Sequence, residues 1–400
     1  MTTSLPPTLP VPDYRGGSLL NLMSSVIRGL GGRSPHAPLR TLPPSAVKGH
    51  RQVILLLIDG LGAEQLGHYL ASPTRRRVSP FFAGHEPLTI MDTVSPATTA
   101  SVVTTVATGA SPAEHGIIGW HLHFPDLGTS GPILPYRTRT GATLAEPDFP
   151  LGAYLRLPSP LSTLSRARHL VSVDGIPNSP TSMAQGWWTT RRSFSTLLGL
   201  HRRLLAIARE RAQSFTYAYW SHYDSVCHAH GPTSPQAVAH LKEVDLFLAQ
   251  LQAAFQKLPN PPLLLLIADH GLMAVRRVVN LLRVPGLYGT FASLPAGDAR
   301  CVHLFLRPDR INDALAILAS PRLGGTHTLL TGAEYLASGL LGPGRRHPAL
   351  ASRVGDYVLL ASPGVIFQFP APYSKVFTFR GHHSGLTTAE TRIPLFALNI

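Results

Sequence analysis

The chain has 400 residues, 44% of them hydrophobic and 14% charged, so it can bury a sizeable core and does not have a disordered composition. Its net charge of +14 and pI of about 10.4 invite comparison with nucleic-acid binders, but the basic residues are scattered. Arg75-Arg76-Arg77 is the densest cluster, and no Lys/Arg stripe is interleaved with aromatics. Nucleic-acid binding is therefore not expected, whereas a basic surface suits small anionic substrates such as phosphate esters. No apolar run approaches the ~20 residues of a membrane span. The start MTTSLPPTLPVPDY lacks a basic n-region and an apolar h-region, and two cysteines give no disulfide framework. These features lead to the expectation of a cytoplasmic protein without a transmembrane segment.

Residues 1–48 are rich in Pro, Gly and Ser and read as a loose arm with one short helix near residues 19–30. The continuous apolar run of residues 52–58 fits a parallel strand buried on both faces. It ends at Asp59-Gly60, where open α/β sheets place their ligands, and a helix follows over residues 63–70. The small and β-branched stretch 100–108 predicts a short buried helix, capped by Thr98 or Thr99 and stopped by Gly109. Residues 121–165 are loop-rich and read as an insertion. Strands are expected at 215–219 and 262–268, separated by a long amphipathic helix over 234–256. A βα step follows at 302–318, then strands near 357–360, 365–369 and 393–398. The alternation implies a mostly parallel central sheet with helices on both faces. A single catalytic domain is expected over 49–400, with cap-like insertions at about 121–210 and 276–375.

Five short blocks carry the chemistry: Asp59 in IDG, Thr98-Thr99 before the 100–108 helix, Asp224-x3-His228, Asp269-His270 in ADHG, and His383 in GHHSG. Adjacent Asp269 and His270 at a strand end can both reach one site if the chain bends at Gly271. Asp224 and His228 lie four apart, which puts both on one helical face. Carboxylate and imidazole ligands suit zinc or a similar divalent ion. A hydroxyl at a helix N-terminus beside such ions is placed to become an alkoxide and to meet a phosphate. Read singly, each block has an ordinary explanation: a turn, a helix cap, or chance clustering among 19 histidines.

Taken in chain order, the blocks resemble the alkaline phosphatase superfamily, most closely its nucleotide pyrophosphatase/phosphodiesterase branch. The likeness spans roughly residues 50–275 and 375–400, and the ATG-x-x-P-x-x-HG pattern of residues 107–116 is similar to the same branch. The resemblance implies an alkaline phosphatase-like fold and two divalent metal ions, most simply zinc. One ion would be held by Asp59, Thr99, Asp269 and His270, and the other by Asp224, His228 and His383. Thr99 would be the nucleophile, nine residues before Thr108 of the TG pair. The implied reaction is hydrolysis of a small anionic phosphate ester, a nucleotide among the candidates, through a phospho-threonine intermediate. The alternatives are a phosphomonoesterase or phosphonate hydrolase of the same superfamily and, more remotely, a non-catalytic basic nucleic-acid-binding protein. Ser384 occupies a slot where the family has glycine. Neither Cys227 nor Cys301 lies in the Cys-x-Pro-x-Arg segment of sulfatases. Ser101, Trp187 and Trp188 are candidate substrate contacts, and Arg191-Arg192 and Arg276-Arg277 are further basic pairs near the insertions.

Overall fold

The strand Gln52–Ile58 is buried along its whole length and is paired on both edges, which is what an uninterrupted apolar run requires. The structure, a computed structural model, describes residues 9–71, 78–139, 141–142, 144, 159–370 and 377–399. The Arg75-Arg76-Arg77 cluster lies outside the described residues. The central sheet has seven strands in the order Thr89–Asp92, Arg392–Asn399, Leu263–Ile267, Gln52–Ile58, Ser214–Trp220, Ala167–Val173 and Thr190–Phe194. Its five strands from Leu263–Ile267 to Thr190–Phe194 run parallel. Arg392–Asn399 runs antiparallel to both of its neighbours.

Register determines where the chemistry emerges. Ile58 lies opposite Trp220, and Leu57 opposite Ile267. Asp59, the turn into the helix His222–His230, and Asp269 therefore leave the sheet side by side at its carboxyl edge. Helices flank this sheet. Leu19–Gly29 packs against Thr99–Thr108, and Leu197–Ala208 against Pro235–Phe255.

Three expectations need correction. Residues 9–48 are not a loose arm, because Leu19 to Ile27 are all buried within the main core. The polar residues among them are satisfied internally: Ser24 donates to the His36 carbonyl, Ser25 accepts from the Leu39 N–H, and Asn21 donates to the Tyr14 and Ala37 carbonyls. The span 121–210 is not wholly an insertion, since Ala167–Val173 and Thr190–Phe194 complete the central sheet. Their sequences, ARHLVSV and TRRSF, lack the continuous apolar signature because Arg and Ser take up much of the pattern. The strand Cys301–Leu306 is not a step of the parallel sheet either. It belongs to a second, six-stranded antiparallel sheet in the order His327–Thr331, Tyr357–Ala361, Cys301–Leu306, Phe291–Asp298, His121–Phe124 and Thr129–Pro132.

His115, at the end of the short helix Pro112–His115, is fully buried. Its Nδ1 accepts the Ile117 N–H at 3.0 Å and its Nε2 faces the Thr105 hydroxyl at 3.1 Å, which fixes the neutral Nε2–H form. Burial, with Arg353 and His347 nearby, pushes its pKa down to about 3. In the unfolded chain this imidazole takes up a proton below ~6.5, whereas the folded protein does not until near pH 3. Stability is therefore lost as pH falls through that window. Wild type should lose about 2 kcal/mol at this site between pH 7 and pH 5. Urea unfolding at the two pH values should show a correspondingly smaller loss for His115→Gln.

Candidate active site

The helix Thr99–Thr108 begins at the carboxyl edge of the central sheet and ends at Gly109, whose φ of 62° places it in the left-handed region. Thr98 occupies the N-cap position, but its side chain does not cap. It turns away and donates to Asp298 Oδ2 at 2.6 Å. Thr99 is the hydroxyl that faces the strand ends, with Oγ1 3.2 Å from His270 Nε2. The first-turn N–H groups of this ten-residue helix have no partner within the helix and lie beside that hydroxyl.

The structure brings together all seven residues singled out as ligands or nucleophile. His270 Nε2 lies 3.5 Å from Asp59 Oδ1 and 3.2 Å from Asp269 Oδ2. Asp224 Oδ2 lies 3.2 Å from His228 Nε2. The His270 and His383 rings stack with centroids 3.7 Å apart and join the two groups. Two sets of donor atoms each lie within 4.8 Å of one another: Asp224, His228 and His383, and Asp59, Asp224 and His270. Asp224 thus stands between the two sets.

Two observations show what this donor set fits. The Nδ1 atoms of His228, His270 and His383 each face a backbone carbonyl, of Gly381 at 2.8 Å, Gly271 at 3.2 Å and Ala97 at 3.0 Å. A carbonyl can only accept, so Nδ1 carries the proton and each Nε2 presents a lone pair to the site. In addition, Asp59 Oδ1, Asp224 Oδ1 and Asp269 Oδ2 are buried and have no hydrogen-bond partner. No Lys or Arg reaches these three carboxylates among the described residues. Oxygen and imidazole donors converging without a cationic side chain are suited to divalent metal ions.

The electrostatics agree. Burial, reinforced by the like charges of Asp269 and Asp224, pushes the Asp59 carboxyl well above the usual carboxylate range, although Tyr219 donates a hydrogen bond to it. Burial alone would also raise Asp224, but His228, His270 and His382 hold it below its ordinary value. Burial works against charge on His228, yet Asp224 draws its pKa upward overall. His383 is pushed well down by burial and by the neighbouring imidazoles.

The loop carrying His383 is fixed from below. Arg300 and Glu390, both fully buried, form a two-point ion pair at 2.5 and 3.0 Å. Glu390 also accepts the Gly385 and Thr387 N–H groups, and the Arg300 N–H donates to Ser384 Oγ. Ser384 has φ 85°, the left-handed backbone that explains why the resemblance expects glycine there. None of Arg300, Glu390, Asp298 or Tyr219 was apparent in the sequence. Arg300 and Glu390 are far apart in the chain, and only their shared burial reveals the pair.

Two cavities meet at the site. One, of about 710 Å³, takes in Thr99, Asp224, His228, His383 and an aromatic wall. The other, of about 520 Å³, takes in Thr99, Asp59, Asp224, Tyr219 and Trp187. Trp120 lines both. The remaining candidate contacts divide. Trp187 lines the smaller cavity. Trp188 lines neither and packs edge-on to Trp187 beneath Arg191. Ser101 is fully buried and turned away, donating to the Ile117 carbonyl at 2.8 Å, because its place in the first helical turn points it off the site.

The sequence model of the family described as type I phosphodiesterase / nucleotide pyrophosphatase matches residues 53–385. The chain belongs to this family. It is accordingly a phosphoric ester hydrolase of the alkaline phosphatase superfamily, in which dependence on metal ions is typical. Compared with curated proteins by sequence, it has no significant match. Among solved structures it is similar to murine ectonucleotide pyrophosphatase / phosphodiesterase 5, an inactive threonine-to-alanine variant in complex with AMP. The TM-score is 0.62 at 16% identity, covering 86% of this chain and 87% of that one. The human protein of the same name gives 0.61 at 15% identity, with 86% and 87% covered. Phosphonoacetate hydrolase from Sinorhizobium meliloti 1021, in complex with phosphonoformate, gives 0.60 at 16% identity, with 86% and 89% covered. At these identities the likeness is one of fold. No helix among the described residues is long and apolar enough to cross a membrane.

Breaking the buried pair should be costly. Arg300→Met leaves the Glu390 charge uncompensated and is expected to lower stability by about 3–5 kcal/mol, read as a fall in the urea unfolding midpoint. Arg300→Lys should recover only part of the loss, since an ammonium cannot reproduce the two-point fork.

Proposed function

We propose that the chain is a phosphodiesterase that works on two divalent metal ions, most simply zinc, through a phospho-threonine intermediate. The observation that carries this reading is the setting of Thr99: a hydroxyl at a helix N-terminus, 3.2 Å from His270 Nε2, beside three carboxylates each of which has one buried oxygen without a hydrogen-bond partner. Asp59, Thr99, Asp269 and His270 would hold one ion and Asp224, His228 and His383 the other, with Asp224 near both. Bound there, the ions would supply Lewis acidity, easing ionisation of the Thr99 hydroxyl and offsetting charge on the phosphate oxygens.

The residues of the chain do the rest. Thr99 Oγ attacks phosphorus, an Oγ–P bond forms as the bond to one ester oxygen breaks, and the hydroxyl proton departs with the released alcohol. Water then cleaves the Oγ–P bond, restoring Thr99 and releasing a phosphomonoester. The helix N-terminus favours the anionic oxygens through its unpaired N–H groups and its dipole. Carbonyl contacts to Gly381, Gly271 and Ala97 keep the three imidazoles oriented, so little reorganisation is needed during reaction.

The two cavities favour a diester over a monoester or a small phosphonate, either of which would leave one of them unused. The smaller cavity suits an uncharged, planar, hydroxyl-bearing arm such as a nucleoside. Trp187 and Tyr217 line it, and the buried hydroxyls of Ser172 and Tyr217 have no partner there. The AMP complex of the murine structural neighbour is consistent with a nucleotide arm.

Thr99→Ala should lower hydrolysis of bis(p-nitrophenyl) phosphate by at least ~10³-fold, as expected for loss of a nucleophile. Thr98→Ala, whose side chain points to Asp298, should lie within about ten-fold of wild type. Full activity in Thr99→Ala would overturn the assignment. Dialysis against a chelator should abolish turnover, and back-titration should restore it near two equivalents of zinc per chain, as a two-metal site requires. Elemental analysis gives the stoichiometry independently.

A further inference from the structure

The two cavities open on different corners of the constellation. The smaller reaches Thr99 from the side of Asp59 and Tyr219, and the larger contains His228, His382 and His383. In-line displacement sends the leaving oxygen away from the attacking oxygen. With Thr99 grouped beside Asp59 and His270, that oxygen departs toward the Asp224–His228–His383 corner, and its substituent runs into the larger cavity. We infer that this cavity is a leaving-arm site selective for a planar aromatic group, an inference that rests on the phosphodiesterase reading above.

The wall is largely aromatic. Trp120, Phe367, Phe369, Phe377 and Phe379 line it. Phe379 stands edge-on to His228 at 5.2 Å and to His382 at 4.9 Å, and Phe377 follows at 6.1 Å from Phe379. Ring surface thus extends from the metal-ligand corner to the rim. There Phe377 is 66% exposed, an apolar ring left facing the path a substrate would take.

One ring of the wall, Phe369, is held in advance. The Arg139 guanidinium lies 4.7 Å above the Phe369 ring, and its Nη1 donates to the Phe369 carbonyl at 2.6 Å. Its other N–H groups go to Ser130 Oγ and the Pro295 carbonyl. The charge of Arg139 is thereby engaged in holding Phe369, and His121 meets the same ring edge-on at 5.8 Å. A ring fixed in this way loses little entropy on binding, and aromatic faces and edges favour stacked or edge-on partners over flexible chains.

The test uses the full chain loaded with zinc and three substrates that differ only in the leaving arm. These are ADP esters carrying methyl, cyclohexyl or phenyl on the terminal phosphate, followed by AMP release. The departing phosphates are close in acidity, so differences in kcat/KM report the arm and not the chemistry. The phenyl ester should exceed the methyl ester by about ten-fold and the cyclohexyl ester by about three-fold, the scale of one or two ring contacts. Phe377→Ala, at an exposed position that the fold does not depend on, and Phe379→Ala should each narrow the phenyl-to-methyl ratio at least about three-fold. Equal rates on phenyl and methyl esters would overturn the leaving-arm site while leaving the phosphodiesterase reading intact. Equal rates on phenyl and cyclohexyl would overturn its aromatic selectivity. Turnover of p-nitrophenyl phosphate with none of the three esters would overturn both the site and the diesterase reading.

Discussion

The arrangement depends on one electrostatic constraint, the meeting of the buried Asp59 and Asp269 with the half-buried Asp224, without a Lys or Arg side chain from the described residues. Carboxylates so placed repel one another and lack the hydration that would offset the repulsion. The protein relieves this only in part: neighbouring imidazoles favour the charge of Asp224, while Asp59 is left with like charges beside it. It uses Tyr219 and the Gly60 and His270 N–H groups to satisfy one side of the carboxylates and leaves the inward oxygens bare. Such a cluster costs stability by itself, which is the usual mark of a site shaped by function and not by packing. The surrounding sheet register, pinned imidazoles and buried ion pair can all be understood as holding this unfavourable grouping in place.

The sequence revealed the elements that carry this grouping because their signals are local. The uninterrupted apolar run of residues 52–58 marks a strand buried on both faces, and Asp59 follows it directly at the strand's carboxyl end. The ADHG turn and the small-residue helix ending at Gly109 are similarly self-contained. Less legible were Ala167–Val173 and Thr190–Phe194, central-sheet strands whose Arg and Ser content hides them among loops. The helix near residues 19–30 was legible, but its burial was not, because its Ser and Asn residues are satisfied largely by backbone groups elsewhere in the fold. Thr98 and Thr99 could not be separated by pattern alone; the partner at Asp298, some two hundred positions away, distinguishes them. Ser101 shows the reverse error, a polar residue near the right place but on the wrong side of its helix.

The antiparallel sheet also contributes to the site. The turn between its strands Phe291–Asp298 and Cys301–Leu306 touches the constellation twice, through Asp298 to Thr98 and through Arg300 to Ser384 and Glu390. The end of one strand and the two-residue turn that follows it thus brace both the segment before Thr99 and the loop after His383. The same sheet supplies His121 to the larger cavity and the backbone that Arg139 binds. The parallel sheet places the charged groups, and the antiparallel one sets their orientation and the shape of the space beside them.

The strand Arg392–Asn399 lies between Leu263–Ile267 and Thr89–Asp92, so two edges of the central sheet stay open until a segment far downstream fills the slot. During synthesis Leu263–Ile267 must wait for more than a hundred further residues before its second ladder can form. Throughout that interval a purely apolar strand presents unpaired backbone groups, the kind of surface that recruits other chains. Strand order thus leaves a slot inside the sheet as its last seam to close, and that seam is the place where a nascent chain is most open to pairing with another.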